Sequence, residues 1–208
     1  CKMMLGLSPD KPVLLVMGGS QGASAINSLV VASLKKIFRR LPELQIIHLT
    51  GQRDFKAIQE SYQQSGISAM VREYFAEMEL VMGAATVMVG RSGASSLAET
   101  ARMGIPSILI PLPTAADDHQ YYNALAFEET GAAVLFEQPA TPAQGEAVDN
   151  FADVVTSLLV NEKKRLDMQS ALVEWGERDA ATEIAKKIIE IALPEENLNM
   201  DWSTEPVF

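Results

Sequence analysis

Short, almost continuously hydrophobic runs alternate along the chain with longer segments in which apolar residues recur at helical spacing. Runs of this length, rich in branched side chains, predict six strands, at 12–18, 45–51, 69–74, 86–91, 106–111 and 132–137. Runs without polar alternation are typical of parallel strands that are buried on both faces. The pattern therefore predicts a six-stranded parallel sheet.

The longer segments between the strands predict amphipathic helices. In the first of them the stripe consists of Ile26, Leu29, Val30, Leu34 and Ile37. The predicted helices before the last strand cover 22–40, 53–64, 94–103 and 119–130. Repeated strand–helix units form right-handed crossovers, so we predict an α/β fold with a Rossmann-like, doubly wound sheet.

The last third of the chain has a different pattern. A loop, "QPATPAQGEAVD", precedes predicted helices at about 147–160, 162–175 and 179–192. The last helix has Asp179 as a candidate N-cap and a stripe of Ile184, Ile188 and Ile191. Residues 193–208 show no periodicity and are predicted to form an irregular tail, so we expect one domain over 1–192.

The amino-acid composition of the chain argues against several classes of protein. The 208 residues carry a net charge of −10, which argues against a sequence-wide nucleic-acid-binding surface. The single cysteine, Cys1, cannot form an internal disulfide, which favours a reducing compartment and excludes a cysteine-based zinc site. No apolar stretch approaches the roughly 20 residues of a membrane span, and we expect no signal peptide.

Three polar or glycine-rich segments follow predicted strands. They are "GGSQGAS" at 18–24, "GRSGASSLAE" at 90–99 and "PLPTAADDHQYYN" at 111–123. Ligands of open parallel sheets bind beyond the carboxyl ends of the strands, where helix N-termini present free amides. The order of the chain places all three segments on that one rim, which predicts a ligand-binding site there.

Each segment alone also has an ordinary explanation. A glycine-rich turn can serve tight packing alone, while Arg91, Glu99 and His119, each taken alone, fit a surface or structural role better than a functional one. The first loop matches neither GxxxxGK[ST] nor GxGxxG, which disfavours triphosphate hydrolysis and weakens dinucleotide binding. No His, Asp or Glu cluster has metal-ligand spacing, so no metal site is predicted.

Taken together, several motifs make the chain resemble the C-terminal half of the MurG family of peptidoglycan N-acetylglucosaminyltransferases, two-domain GT-B enzymes of glycosyltransferase family 28. The resemblance covers about 11–192 and rests on "LLVMGGSQGASAIN", "EYFAEM", "RSGASSLAE", "GIPSILIPLP", "AADDHQYYNA" and "EETGAA". The N-terminal acceptor domain of that family, with its catalytic base, is not found in this chain. The resemblance therefore implies a donor-binding domain without a catalytic residue of its own.

The resemblance also implies a role for particular residues towards UDP-N-acetylglucosamine. Main-chain groups of Phe75 would contact uracil, and Glu99 would accept both ribose hydroxyls. The diphosphate would lie over the amides of Ala94, Ser95 and Ser96, near Ser20, without a metal or other cofactor. Gln120 and Asn123 would contact the sugar, with His119 beside the phosphate. The expected contacts are completed by Gly19, Gln21, Arg91, Ser92 and Gly93.

The implied reaction is inverting transfer of GlcNAc to lipid-linked MurNAc-pentapeptide at the inner face of the cytoplasmic membrane. Contact with that membrane and with the acceptor would come from the absent N-terminal domain, so the isolated chain is expected to be inactive. Two alternatives remain open: a related glycosyltransferase that uses another UDP-sugar, and a non-catalytic subunit that only binds a nucleotide sugar.

Overall fold

The computed structural model describes residues 1–19, 22–140, 143–176 and 180–192. The described residues up to Gly176 form one compact unit, and residues 180–192 belong to a second unit. The first unit contains the six predicted strands, β1 Val13–Met17, β2 Gln45–Leu49, β3 Met70–Arg72, β4 Val87–Gly90, β5 Ser107–Leu109 and β6 Ala133–Leu135. They form one parallel sheet, as predicted, and their order in it is β3-β2-β1-β4-β5-β6.

The predicted helices are confirmed, with ends that shift by at most two residues. In the first unit they are α1 Ser24–Arg40, α2 Phe55–Ser65, α4 Ala94–Met103, α5 His119–Glu129, α6 Glu146–Val160 and α7 Glu162–Gly176. A further helix, α3 Met78–Ala84, was not predicted. Its seven residues make less than two turns, too few for an amphipathic stripe to be recognised in the sequence. Short 3₁₀ turns lie at Met3–Leu5 and Ala116–Asp118.

The sheet lies between two helical layers, which explains why its strands lack polar alternation. Leu14 and Val16 point into a core shared with α1 and α6, while Val13 and Leu15 point into a core shared with α3 and α4. All five residues of β1 are buried. Helices on both faces confirm the doubly wound arrangement, and the strand order reverses between β1 and β4. A crevice is therefore expected beyond the ends of these two strands.

The second unit contains α8, Ala180–Ala192, as the periodicity predicted. Its proposed cap, Asp179, and the predicted irregular tail at 193–208 lie outside the described residues. The predicted domain boundary at 192 stays a prediction.

Candidate functional site

A cleft of about 410 Å³ opens at the carboxyl edge of the sheet, where the strand order reverses. One part of its wall is apolar and is formed by Met17, Leu49, Phe75 and Met78. The remaining wall is formed by Gly19, Glu73, Tyr74, Ser95, Ser96 and Glu99. An apolar wall beside a polar one suits a ligand with a planar, weakly polar group at one end and oxygen-rich groups at the other.

Close packing requires two of the glycines in the loop after β1, Gly18 and Gly22. A Cβ atom at Gly18 would lie 2.4 Å from the amide nitrogen of Ala23, and one at Gly22 would lie 2.3 Å from the carbonyl oxygen of Thr50. Gly19 has a φ of +86° but faces open space and lines the cleft. Ser20 and Gln21 lie outside the described residues, so their predicted contacts stay predictions.

The N-terminus of α4 presents free amides to the cleft. Gly93, at the N-cap position, has extended backbone and no capping side chain, and its carbonyl accepts the first helical hydrogen bond from Leu97, at 3.0 Å. The amides of Ala94, Ser95 and Ser96 consequently have no acceptor in the part of the chain that the structure describes. Since the helix dipole adds positive potential at this end, these amides can bind an anion.

Glu99 lies one helical turn beyond Ser95, on the same side of α4, and lines the cleft. Its side chain is exposed and makes no hydrogen bond or ion pair with any described residue. An ionised carboxylate accepts hydrogen bonds through two oxygens. Glu99 is therefore free to accept two neighbouring hydroxyl groups of a ligand.

Phe75 closes the apolar part of the cleft. Its ring packs against the buried core, while its amide and its carbonyl have no partner among the described residues. One free donor beside one free acceptor matches the edge of a pyrimidine. The neighbouring Tyr74, which the sequence analysis missed, is 73% exposed and also lines the cleft. An aromatic residue at the carboxyl end of the predicted strand 69–74 was the available signal.

Gln120 and Asn123 lie on α5 and do not line this cleft. The Asn123 amide donates to the carbonyl of Ser92 at 3.0 Å, and the Ser92 hydroxyl donates to the carbonyl of Gln120 at 2.6 Å. The Gln120 side-chain oxygen accepts from the amide of Leu112 at 3.1 Å. These bonds tie α5 to the turn that precedes α4. Ser92 is fully buried, which leaves its side chain no surface for the ligand contact expected from the resemblance.

Arg91 and His119 also make contacts within the protein. The Arg91 guanidinium donates to the carbonyls of Ile110 and Pro111 and to the side chain of Gln138. Partial burial lowers the pKa of Arg91. The exposed His119 ring donates from Nδ1 to the carbonyl of Ala116 at 2.8 Å. Their predicted ligand contacts stay predictions.

Two kinds of feature are absent from the residues that the structure describes. No helix among them has the length and hydrophobicity that a membrane span requires. They also contain no group of three or more His, Cys, Asp or Glu side chains placed to hold a metal ion. The expectation that the protein uses no cofactor stays a prediction.

Known proteins resemble this chain in sequence and in fold. The model of the glycosyltransferase family 28 C-terminal domain matches residues 13–190. Two relatives are named UDP-N-acetylglucosamine–N-acetylmuramyl-(pentapeptide) pyrophosphoryl-undecaprenol N-acetylglucosamine transferase. The Sorangium cellulosum protein is 37% identical over 182 residues, covering 86% of this chain and 44% of its own length. The Desulforamulus reducens protein is 36% identical over 194 residues, covering 90% and 50%.

Among solved structures, the chain is similar to MurG of Acinetobacter baumannii, with a TM-score of 0.76 and 28% sequence identity. The match covers 87% of this chain and 53% of that one. The chain thus spans about half the length of the relatives that it matches. Sequence and fold agree over the whole sheet, and the chain belongs to the glycosyltransferase family 28 C-terminal domain family.

Proposed function

We propose that this chain binds UDP-N-acetylglucosamine as the donor-binding domain of an inverting N-acetylglucosaminyltransferase. One observation carries the proposal: a single cleft brings together the free main chain of Phe75, the unpaired carboxylate of Glu99 and the open amides at the start of α4. These groups match a pyrimidine, a ribose and a phosphate, the three parts of UDP.

The base of the nucleoside would lie at the apolar end of the cleft. Uracil would lie against the apolar wall and exchange two hydrogen bonds with the main chain of Phe75, its N3–H meeting the carbonyl and its O4 meeting the amide. The ribose would then reach Glu99, whose two oxygens accept the two hydroxyls. Hydrogen bonds to a charged acceptor are stronger than neutral ones, so Glu99 would supply a large part of the affinity.

The diphosphate would lie over the amides of Ser95 and Ser96. In an acidic protein, the N-terminus of α4 supplies positive potential without a basic side chain. The same amides would stabilise the charge that develops on departing UDP during transfer, because they already point at the phosphate oxygens before the reaction. The glycine-rich loop at Gly19 would close the other side of the diphosphate, since it approaches without a side chain.

The complete enzyme would transfer GlcNAc to lipid-linked MurNAc-pentapeptide at the inner face of the cytoplasmic membrane, as a peripheral, cytoplasmic protein. The names of the relatives and their roughly twofold greater length support this part of the proposal. The acceptor-binding site, the membrane-contacting surface and the catalytic base would all belong to a domain outside this chain. The 208-residue chain alone would bind the donor and transfer nothing.

Glu99→Ala tests the proposed function. We expect a loss of about 1.5–3 kcal/mol of UDP affinity, as for hydrogen bonds to a charged group, with the unfolding free energy nearly unchanged because Glu99 is exposed. Calorimetric titration with UDP measures the first quantity and urea unfolding the second. Glu60→Ala is the matched control, since Glu60 is an exposed glutamate within α2 that does not line the cleft.

Equal UDP affinity in wild type and Glu99→Ala would show that the carboxylate is only a solvated surface charge. Absence of UDP binding by the wild-type chain would overturn the proposal as a whole. A panel of UDP-sugars identifies the sugar: tighter binding of UDP-galactose than of UDP-GlcNAc would point to a related transferase with a different donor.

Gln120→Ala tests the sugar end of the site. The side-chain NH₂ of Gln120 has no acceptor among the described residues, so it is available to a ligand. We expect UDP-GlcNAc to bind about 0.5–1.5 kcal/mol more weakly while UDP affinity stays nearly constant. Gln120→Ala also removes the bond from Leu112 and Asn123→Ala the bond to Ser92, so each should lower the thermal midpoint as well. Equal losses for UDP and UDP-GlcNAc in Gln120→Ala would contradict a sugar contact.

A further inference from the structure

A chain of buried polar side chains lies between β2 and the helices α1 and α2 and has no part in the binding contacts described above. The ring of His48, on β2, is fully buried between Tyr62 on α2 and Asn27 on α1, 3.0 Å from each. Asn27, also fully buried, donates to the carboxylate of Asp54 and to the carbonyl of Thr50 at 2.8 and 2.9 Å. Buried polar groups are tolerated when every member is paired, and this chain meets that condition.

The partners determine the direction of each hydrogen bond. A carbonyl and a carboxylate only accept, so the nitrogen of Asn27 faces Thr50 and Asp54 and its oxygen faces His48. The Nε2 atom of His48 must then carry the proton and donate to that oxygen. Its Nδ1 atom accepts from the Tyr62 hydroxyl. Each side chain therefore donates a hydrogen bond to the next, from Tyr62 through His48 and Asn27 to Asp54, and the imidazole is neutral.

The carbonyl of Thr50 connects this chain to the cleft. It accepts from Asn27, and it is also the atom against which Gly22 packs so closely that no side chain fits there. The amide of Thr50 donates to the carbonyl of Arg72, and that of Gly51 donates to the carbonyl of Glu73, each at 2.9 Å. Thr50 thus contacts the loop after β1 on one side and the segment that leads to Phe75 on the other.

We propose that the part of this buried chain formed by His48, Asn27 and Asp54 positions the glycine-rich loop and the Phe75 segment relative to each other, and that it thereby sets the affinity for the nucleotide. Asn27 is the positioning residue in direct contact with the cleft framework, and His48 acts through it by orienting its amide. The effect on binding rests on the proposed function, whereas the effect on the loop itself does not.

The test compares variants of the 208-residue chain that break this hydrogen-bonded chain at different points. Asn27→Ala removes the hydrogen bond to the Thr50 carbonyl, and His48→Leu removes the hydrogen bond that orients the Asn27 amide. We expect each variant to bind UDP about tenfold more weakly or worse. His48→Gln keeps a donor towards Asn27 and should restore most of the affinity. Tyr62→Phe removes only the far end and should bind UDP within about twofold of wild type.

Val155→Ala is the control for general loss of stability, because Val155 is fully buried on α6, away from the cleft. Calorimetry gives the UDP affinity at a temperature where circular dichroism shows each variant to be folded. Affinity that falls in proportion to stability across all variants, Val155→Ala included, would overturn the proposal, because it is the result expected of a merely structural network.

Amide hydrogen exchange without UDP separates this inference from the proposed function. We expect Asn27→Ala and His48→Leu to accelerate exchange at Gly22 and Gly51, and Val155→Ala to leave both amides unchanged. Unchanged exchange at these glycines in Asn27→Ala and His48→Leu would overturn the positioning role. If exchange is accelerated in the variants but the wild-type chain does not bind UDP, the positioning role is supported and the proposed function is overturned.

Discussion

Gly22→Ala is expected to lower the unfolding free energy by roughly 2–5 kcal/mol and to abolish measurable UDP binding. Gly22 has a φ of +76°, which an alanine adopts only with strain, and the new Cβ atom would lie 2.3 Å from the carbonyl oxygen of Thr50. Thr50 is itself held by Asn27, so the loop after β1 must move away from the cleft. Urea unfolding and calorimetric titration with UDP measure the two effects.

Gly66→Ala is the matched control for this substitution. Gly66 ends α2 with a φ of +71°, but a Cβ atom there meets nothing within 4 Å. It therefore carries the cost of the backbone conformation without the clash, and UDP binding should be unaffected. If Gly22→Ala destabilised the protein no more than Gly66→Ala, the close approach to Thr50 would not be what requires a glycine at 22.

The stability of the protein should fall as the pH drops from 6.5 towards 4.5, by about 1.4 kcal/mol for each pH unit below 6. Burial lowers the pKa of His48 to about 3, against a smaller opposing effect of the Asp54 carboxylate. In the unfolded chain the same group titrates near its ordinary pKa of 6.5. Between these values the unfolded state binds a proton that the folded state does not, so His48 contributes stability above pH 6.5 that is lost on acidification.

His48→Gln isolates this contribution. Glutamine does not titrate, so the unfolding free energy of the variant should depend less on pH. The difference should be clearest between pH 6.5 and the lower range in which carboxylates titrate. Urea unfolding at pH 7, 6, 5 and 4.5 measures both proteins. The other titratable groups facing the imidazole are Asp54 and Tyr62, and burial raises the pKa of the Tyr62 hydroxyl well above its usual range. An identical slope in wild type and His48→Gln would show that His48 takes up its proton without unfolding.

Much of the fold was determined by the sequence alone, because the period of the hydrophobic pattern reflects the environment of each element. Unbroken apolar runs predicted strands buried on both faces, and β1, with every residue buried, has that environment. The strand–helix alternation predicted the crossovers, and from them the rim on which Gly19, Ser95 and Glu99 meet. Helix α3 was missed because seven residues do not complete two helical turns.

Only the tertiary structure decided which polar side chains are free for a ligand. In the sequence, Ser92 and Glu99 are two polar residues of the same segment, yet Ser92 is fully buried and bonded to α5, whereas Glu99 is exposed and unpaired among the described residues. Local pattern does not contain this difference, because it depends on which distant element packs against each residue. His48 shows the same limit: as part of the apolar run of β2 it carries no signal, and its partners Asn27 and Tyr62 come from two different helices. The hydrophobic period determined the layers of the protein, and the packing of those layers determined which hydrogen-bonding groups were left for function.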